Sequence, residues 1–184
     1  MSQRRIKKLI GMIVALLIGV VAMRAVPDNP PIAAVVPATK LVAVEKVFDG
    51  DTIAVTINGR SEKVRFIGID TPETHDPRKT VQCFGQEASD WTKANLTGRS
   101  VRLEADSSQG VRDKYDRLLA YIWRDDGLLV NRALIEQGYA HEYTYQTSYK
   151  YQAEFRNIEK QARENNRGLW SSATCGGNTK QPAR

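Results

Sequence analysis

The dipeptide Asn58-Gly59 limits what this chain can fold into more than any other feature. Both central positions of a type I′ turn need positive φ, which asparagine and glycine tolerate, and such a turn matches the twist of the strands it joins. Runs with strand character lie on either side, Thr52 to Ile57 before the turn and Lys63 to Ile69 after it. The hairpin so defined carries an acidic run at each outer end, Asp49-Gly50-Asp51-Thr52 and Asp70-Thr71-Pro72-Glu73-Thr74. Because a hairpin brings the chain back to the end it left, the two runs are predicted to meet at one end of a sheet.

The remaining pattern supplies the rest of a small domain. Leu41 to Val47 reads as a strand before the hairpin, Val101, Leu103 and Ala105 alternate in a fourth strand, and Leu118 to Trp123 makes a fifth. A helix is predicted from Gly85 to Leu96, a second from Val130 to a stop at Gly138, and a third on the stripe Tyr151, Phe155, Ile158 and Ala162. Gly168-Leu169-Trp170 follows it and is predicted to pack on the core. Five short strands with helices after the third and fifth predict an α+β fold built on a closed or partly closed barrel. The OB-fold is the five-stranded barrel best known for binding nucleic acid.

Charge must be read by location. The chain of 184 residues has a formal net charge of +6, but Arg4, Arg5, Lys7, Lys8 and Arg24 hold five of its positive charges and no acidic residue precedes Asp28. Without residues 1–25 the net charge is only +1, so any basic footprint has to be local. The basic start and the uncharged stretch Leu9 to Met23 read as an export signal, cleaved as a signal peptide or retained as a membrane anchor. Both fates place the rest outside the cytoplasm, periplasmic or secreted or held at the outer face of the inner membrane. Residues 26–40 carry Pro27, Pro30, Pro31 and Pro37 and read as an extended linker. The globular domain is assigned to residues 41–172 and a tail to 173–184, with the last ten residues expected to fray. Cys83 and Cys175 are the only cysteines, so export predicts one disulfide, the alternative being two separate thiols. That bond would close a loop of about 92 residues, worth up to about 4–5 kcal/mol by loop entropy.

The acidic runs have a plain reading as turns, since Asp-Gly and Thr-Pro are common turn dipeptides. Brought together without a basic residue inside either run, their carboxylates repel, and a bound divalent cation removes that repulsion. Oxygen donors suit a hard ion such as Ca²⁺; neither run offers the Cys or His that zinc or copper favours, and the spacing is not that of an EF-hand. Arg65, between the runs, shares parity with Ile67 and Ile69 and so is expected on an otherwise apolar face. Arg117 follows Asp113-Lys114-Tyr115-Asp116. Each arginine is either an ordinary surface residue or half of a phosphate clamp. Tyr143, Tyr145, Tyr149 and Tyr151 either cover the core, the better reading for Tyr151, or stack nucleobases. His75 and His141 receive no role.

These runs, with Arg65-Phe66-Ile67-Gly68-Ile69, Gly85-Gln86-Glu87-Ala88, Asp113 to Arg117, Asn131-Arg132-Ala133-Leu134, Gln137-Gly138 and Gly168-Leu169-Trp170, stand in the order of the staphylococcal nuclease (thermonuclease) family, which the chain resembles over about residues 41–172. The resemblance implies an OB-fold barrel with three helices and a Ca²⁺-dependent nuclease acting on DNA and RNA as a monomer. It implies Asp51, Asp70 and the backbone carbonyl of Thr71 as calcium ligands, Asp49 as an outer acid and Glu73 as general base. Arg65 and Arg117 become phosphate-binding arginines, with Lys114, Tyr115, Tyr143 and Tyr145 contacting the nucleotide. The segment His75 to Phe84 departs from the family pattern and introduces Cys83. Two other readings stand beside a nuclease: a non-catalytic OB domain binding single-stranded nucleic acid, and a tethered interaction module of the envelope with incidental acidic turns.

Overall fold

Three antiparallel strands, Leu41–Asp49 (β1), Thr52–Ile57 (β2) and Arg60–Phe66 (β3), start the domain in a computed structural model that describes residues 40–74 and 80–183. The predicted export segment, the linker up to residue 39 and His75 lie outside the described residues. Asn58 and Gly59 join β2 to β3 at φ 51° and 75°, the positive values the turn requires. Ile57 pairs with Arg60 directly across this turn, so β3 begins earlier than its apolar residues suggest.

The third strand also ends earlier than predicted. Gly68 at φ 78° turns the chain after Phe66, and Ile69–Asp70 (β4) pairs instead with His141–Glu142 (β7). The shared parity of Arg65, Ile67 and Ile69 therefore does not hold. Val64 and Phe66 point into the core at 0% and 1% exposure, and Arg65 projects from the opposite face of β3.

Ser100–Glu104 (β5) and Leu118–Arg124 (β6) complete a closed barrel in the order β1-β2-β3-β6-β5, with β5 returning to β1. All pairings are antiparallel except β3 with β6, where Val64, Arg65 and Phe66 run beside Leu118, Leu119 and Ala120. Phe66, Ile53, Tyr121, Ile122 and Phe155 fill the centre. The Tyr121 hydroxyl donates to Asp106 at 2.7 Å, which satisfies a phenol with no exposed surface.

Three helices cover the barrel, as the sequence predicts: Gly85–Leu96 (α1), Val130–Glu136 (α2) and Gln152–Glu164 (α3). The apolar stripe of α3 buries Phe155, Ile158 and Ala162, while Tyr151, partly buried, stacks on Phe155 and covers the core. Asn131 of α2 is fully buried. Its Oδ1 accepts the Ile122 N–H at 2.8 Å, and its Nδ2 donates to the Ile67 carbonyl at 2.9 Å. One side chain thus joins α2 to β6 and to the turn that leads into Asp70.

The tail does not fray as expected. Cys83 and Cys175 form a disulfide with an S–S distance of 2.03 Å, and around it Leu169, Phe84 and Trp170 make a second small apolar cluster. Beyond it, Cys83 N–H donates to the Gln181 carbonyl and Ala183 N–H to the Val81 carbonyl, both at 2.9 Å.

Asn131→Ala should leave a buried N–H and a buried carbonyl unpaired and lower stability by about 2–5 kcal/mol in urea denaturation. A loss below about 1 kcal/mol would show that Asn131 is not the joint described.

Candidate active site

The acidic runs meet because the chain has no side chain where they cross. A Cβ on Gly50 would lie 2.7 Å from Thr71 Cγ2, so glycine lets the first run lie against the second. Helix α1 fixes the crossing from behind, with Thr92 Oγ1 donating to the Gly50 carbonyl at 2.7 Å. Asp51, 6% exposed, then reaches across the gap: its Oδ2 accepts the Thr71 N–H and its Oδ1 the Thr52 hydroxyl, both at 3.0 Å.

Arg65 neutralises the acids that this crossing gathers. Its Nη1 donates to the carbonyls of Phe66 and Ile69, each at 2.8 Å, which fixes the plane of the guanidinium. Its Nη2 lies 2.8 Å from Asp70 Oδ1 and 3.1 Å from Asp51 Oδ2. The Arg65 and Asp51 side chains are 13% and 9% exposed, whereas that of Asp70 is 55% exposed. This is a pair of charges held in a partly dry site on one side and open to solvent on the other, where the open side is weakly coupled.

The carboxyls around this centre are shifted by burial and by one another. The Asp49 carboxyl is pushed up to about 7, first by burial, then by its hydrogen bond with Glu73 and by the charge of Asp51; the Gly50 N–H opposes this. Thr74 supports the same carboxylate through its hydroxyl at 3.1 Å. The Asp70 carboxyl is also raised, by desolvation and by Asp51 and Glu73, against Arg65 and His141. Its half-exposed position leaves that carboxyl the more hydrated of the two.

Beside the acids a groove of about 640 Å³ runs from Arg65 and Asp70 to Lys114, Tyr115 and Arg117 along one wall and Tyr143 and Tyr145 along the other. Asp113 fixes Arg117: its Oδ2 accepts Arg117 Nε at 2.7 Å, and its Oδ1 accepts the backbone N–H groups of Tyr115 and Arg117 at 2.9 and 3.0 Å. The Tyr115 ring, 68% exposed, lies 5.0 Å from Lys114 Nζ and 5.4 Å from the Arg117 guanidinium. Tyr143 and Tyr145 are 44% and 63% exposed with ring centroids 6.5 Å apart. Tyr149 is different: it is buried, and its hydroxyl donates to Glu142 at 2.9 Å.

The oxygen donors at this crossing include the carboxylates of Asp51 and Asp70 and the buried Thr71 Oγ1, which has no hydrogen-bond partner. That donor set suits a hard ion completed by water rather than a cage of side chains. Among the described residues no group of three or more His, Cys, Asp or Glu side chains converges as a ligand cluster. His141 pairs with Asp70 across the β4–β7 ladder, and its ring stands edge-on to Trp170 at 4.8 Å. Sequence reasoning gave Asp113 and Gln82 no role of their own. Asp113 could have been found from its i, i+4 spacing to Arg117; Gln82, whose Oε1 accepts the Glu73 N–H at 2.8 Å, has no signal in the pattern.

An OB-type barrel with three helices, carrying clustered carboxylates and two buttressed arginines at one mouth, defines the class. The chain belongs to the staphylococcal nuclease family: residues 63–172 match the model described as staphylococcal nuclease homologue. It is 43% identical over 127 residues to a thermonuclease of Staphylococcus hyicus, covering 69% of this chain and 73% of that one. A thermonuclease of Staphylococcus intermedius is 41% identical over 127 residues, 69% of this chain and 74% of its own length. Endonuclease YncB of Bacillus subtilis (strain 168) is 38% identical over 133 residues, 72% of this chain and 62% of its own.

Gly50→Ala should push Thr71 away and destabilise the protein by about 1–3 kcal/mol in a denaturant titration. The raised Asp49 carboxyl makes the folded state bind a proton that the unfolded chain has released, so its contribution falls as pH climbs from the ordinary carboxylate range to about 7. In chelator, Asp49→Asn should match the parent in Tm near about pH 4 and exceed it increasingly up to about pH 8. A constant difference across that range would contradict the assignment.

Proposed function

We propose that this chain is an exported, calcium-dependent nuclease that hydrolyses phosphodiester bonds in DNA and RNA. The observation that carries the reading is the Arg65 guanidinium, anchored on two backbone carbonyls, bridging Asp51 and Asp70 and opening onto the groove that Arg117 also lines. The names of its relatives, thermonuclease and endonuclease, point the same way.

Asp51, Asp70 and the Thr71 carbonyl would hold Ca²⁺, with Asp49 supporting them from outside. When bound, that ion supplies Lewis acidity toward the phosphoryl oxygen and a site for water. The arginines do the electrostatic work. A phosphate entering the groove meets guanidinium groups already oriented by protein acceptors, so charge growing on its oxygens is stabilised with little reorganisation. Glu73 accepts the proton of the attacking water; sharing its hydrogen bond with Asp49, it has a second carboxyl able to take part in that proton's position. Lys114 pairs with a neighbouring phosphate, and Tyr115, Tyr143 and Tyr145 offer ring faces to bases without regard to sequence. Such a grip is local, as a chain with a net charge of +1 beyond residue 25 requires.

Export rests on the basic and apolar start of the chain and agrees with the Cys83–Cys175 disulfide, since such bonds persist in oxidising compartments. The protein acts as a monomer on its nucleic-acid substrate, with membrane contact only if the N-terminal segment is retained.

Incubating plasmid and single-stranded DNA with the protein, in calcium or in chelator, tests the reading. Cleavage in calcium alone is expected; binding without cleavage would favour a non-catalytic OB domain. Arg65→Ala and Arg117→Ala should each lower turnover by about 10²-fold or more, and Asp51→Ala should abolish calcium-dependent cleavage. Folded variants that cut at the parent rate would refute the two-arginine mechanism.

A further inference from the structure

The tail beyond the family-matched residues 63–172 reaches the candidate site through an unbroken series of bonds. Gln82 holds both backbone polar groups of Glu73: its Oε1 accepts the Glu73 N–H at 2.8 Å, and its own backbone N–H donates to the Glu73 carbonyl at 3.0 Å. On its other side Gln82 faces Pro182 in an antiparallel bridge. The flanking pairs, Cys83 N–H to the Gln181 carbonyl and Ala183 N–H to the Val81 carbonyl, are both 2.9 Å. Gln181 Nε2 donates back to the Cys175 carbonyl at 3.0 Å, and the disulfide joins Cys175 to Cys83, the residue next to Gln82. Both cysteines are 5% exposed within the cluster of Leu169, Phe84 and Trp170.

We infer that Gln82 is a positioning residue for Glu73, and that the tail 175–183, fastened by the Cys83–Cys175 disulfide, is the splint that holds Gln82 in place. The inference rests on the role proposed for Glu73. A base must sit within hydrogen-bond reach of the proton it takes, and a displacement of about 1 Å can cost as much as 10²-fold in rate. Glu73 lies in a segment without regular secondary structure, five residues or fewer from the nearest strand. Neither β4 nor α1 can orient its backbone through a ladder or a helical bond. Gln82 supplies that missing pairing, and a free tail would leave residues 81–83 with no partner strand of their own. Glu73 is thereby tied to the covalent framework of the domain.

The test compares Gln82→Met, which keeps the bulk and loses the acceptor, with Gln82→Glu, which keeps an acceptor for the Glu73 N–H. Gln82→Met should lower kcat by about 10- to 100-fold with KM and calcium affinity within about twofold of the parent. Gln82→Glu should retain most of the parental kcat. In a Glu73→Gln background Gln82→Met should add no further loss, because the two residues act as one unit. The double substitution Cys83→Ser with Cys175→Ser, checked by circular dichroism to be folded at the assay temperature, should give the same kcat-selective loss and the same silence behind Glu73→Gln. Equal losses in both backgrounds, or a parental kcat in Gln82→Met, would overturn the inference. Amide hydrogen exchange at Glu73 provides a readout independent of catalysis. It should quicken in Gln82→Met and in the cysteine variant, and unchanged exchange in both would refute the splint. Absence of any cleavage by the parent would instead refute the nuclease reading and leave exchange to decide the splint.

Discussion

Two acidic turns pressed against one another at the end of a barrel repel, and Arg65, 2.8 Å from Asp70 and 3.1 Å from Asp51, offsets that repulsion. Its position follows from backbone geometry. The strand that carries it ends at Phe66, the chain turns at Gly68, and the two carbonyls this turn exposes, those of Phe66 and Ile69, accept from one nitrogen of the guanidinium. The other nitrogen is thereby aimed at Asp51 and Asp70. A lysine could neutralise one carboxylate as a point charge, but it could not hold two carbonyls and two carboxylates with a fixed fork. The arginine that makes the acidic cluster tolerable also lines the groove shared with Arg117.

Around this centre the polar contacts are layered. Asn131 fixes the Ile67 carbonyl and hence the turn, Thr92 fixes the Gly50 carbonyl, and Asp113 fixes Arg117. Each of these residues touches backbone or an arginine and fixes a group at or beside the site. The scaffold side of the site is rigid by these bonds, while the faces offered to a substrate, Tyr115, Tyr143 and Tyr145, are exposed rings. That division suits a protein whose ligand varies in sequence but repeats in its phosphates.

Much of this was legible in the sequence, because hairpin chemistry and apolar periodicity are local. Asn58-Gly59 located the turn, and Phe155, Ile158 and Ala162 located the buried face of the last helix. Errors arose where a distant partner decided the outcome. Ile69 reads as the continuation of β3, yet His141 and Glu142, seventy residues on, recruit its neighbourhood into a separate ladder. The tail reads as loose by composition, yet Cys175 and the pairing of residues 181–183 hold it. The acids and arginines of the site were visible as residue types; what orients them was not, since the roles of Asp113, Asn131 and Gln82 depend on which backbone groups come within reach in three dimensions.

Two long-range pairings close the barrel, antiparallel β1 with β5 and the parallel seam of β3 beside β6, the latter between segments about fifty residues apart in the chain. The hairpin strands need only local turns to pair, whereas both long-range pairings reach across the intervening helix, and their loop-closure entropy makes them late contacts. Arg65 lies in the parallel seam opposite Leu119, and Arg117 immediately precedes the strand that forms it. A chain that has made its hairpin but not its seam already has both acidic turns side by side, with the two guanidiniums still on separate pieces. Chemistry needing both arginines therefore requires this seam, and activity counts only those molecules whose barrel is shut.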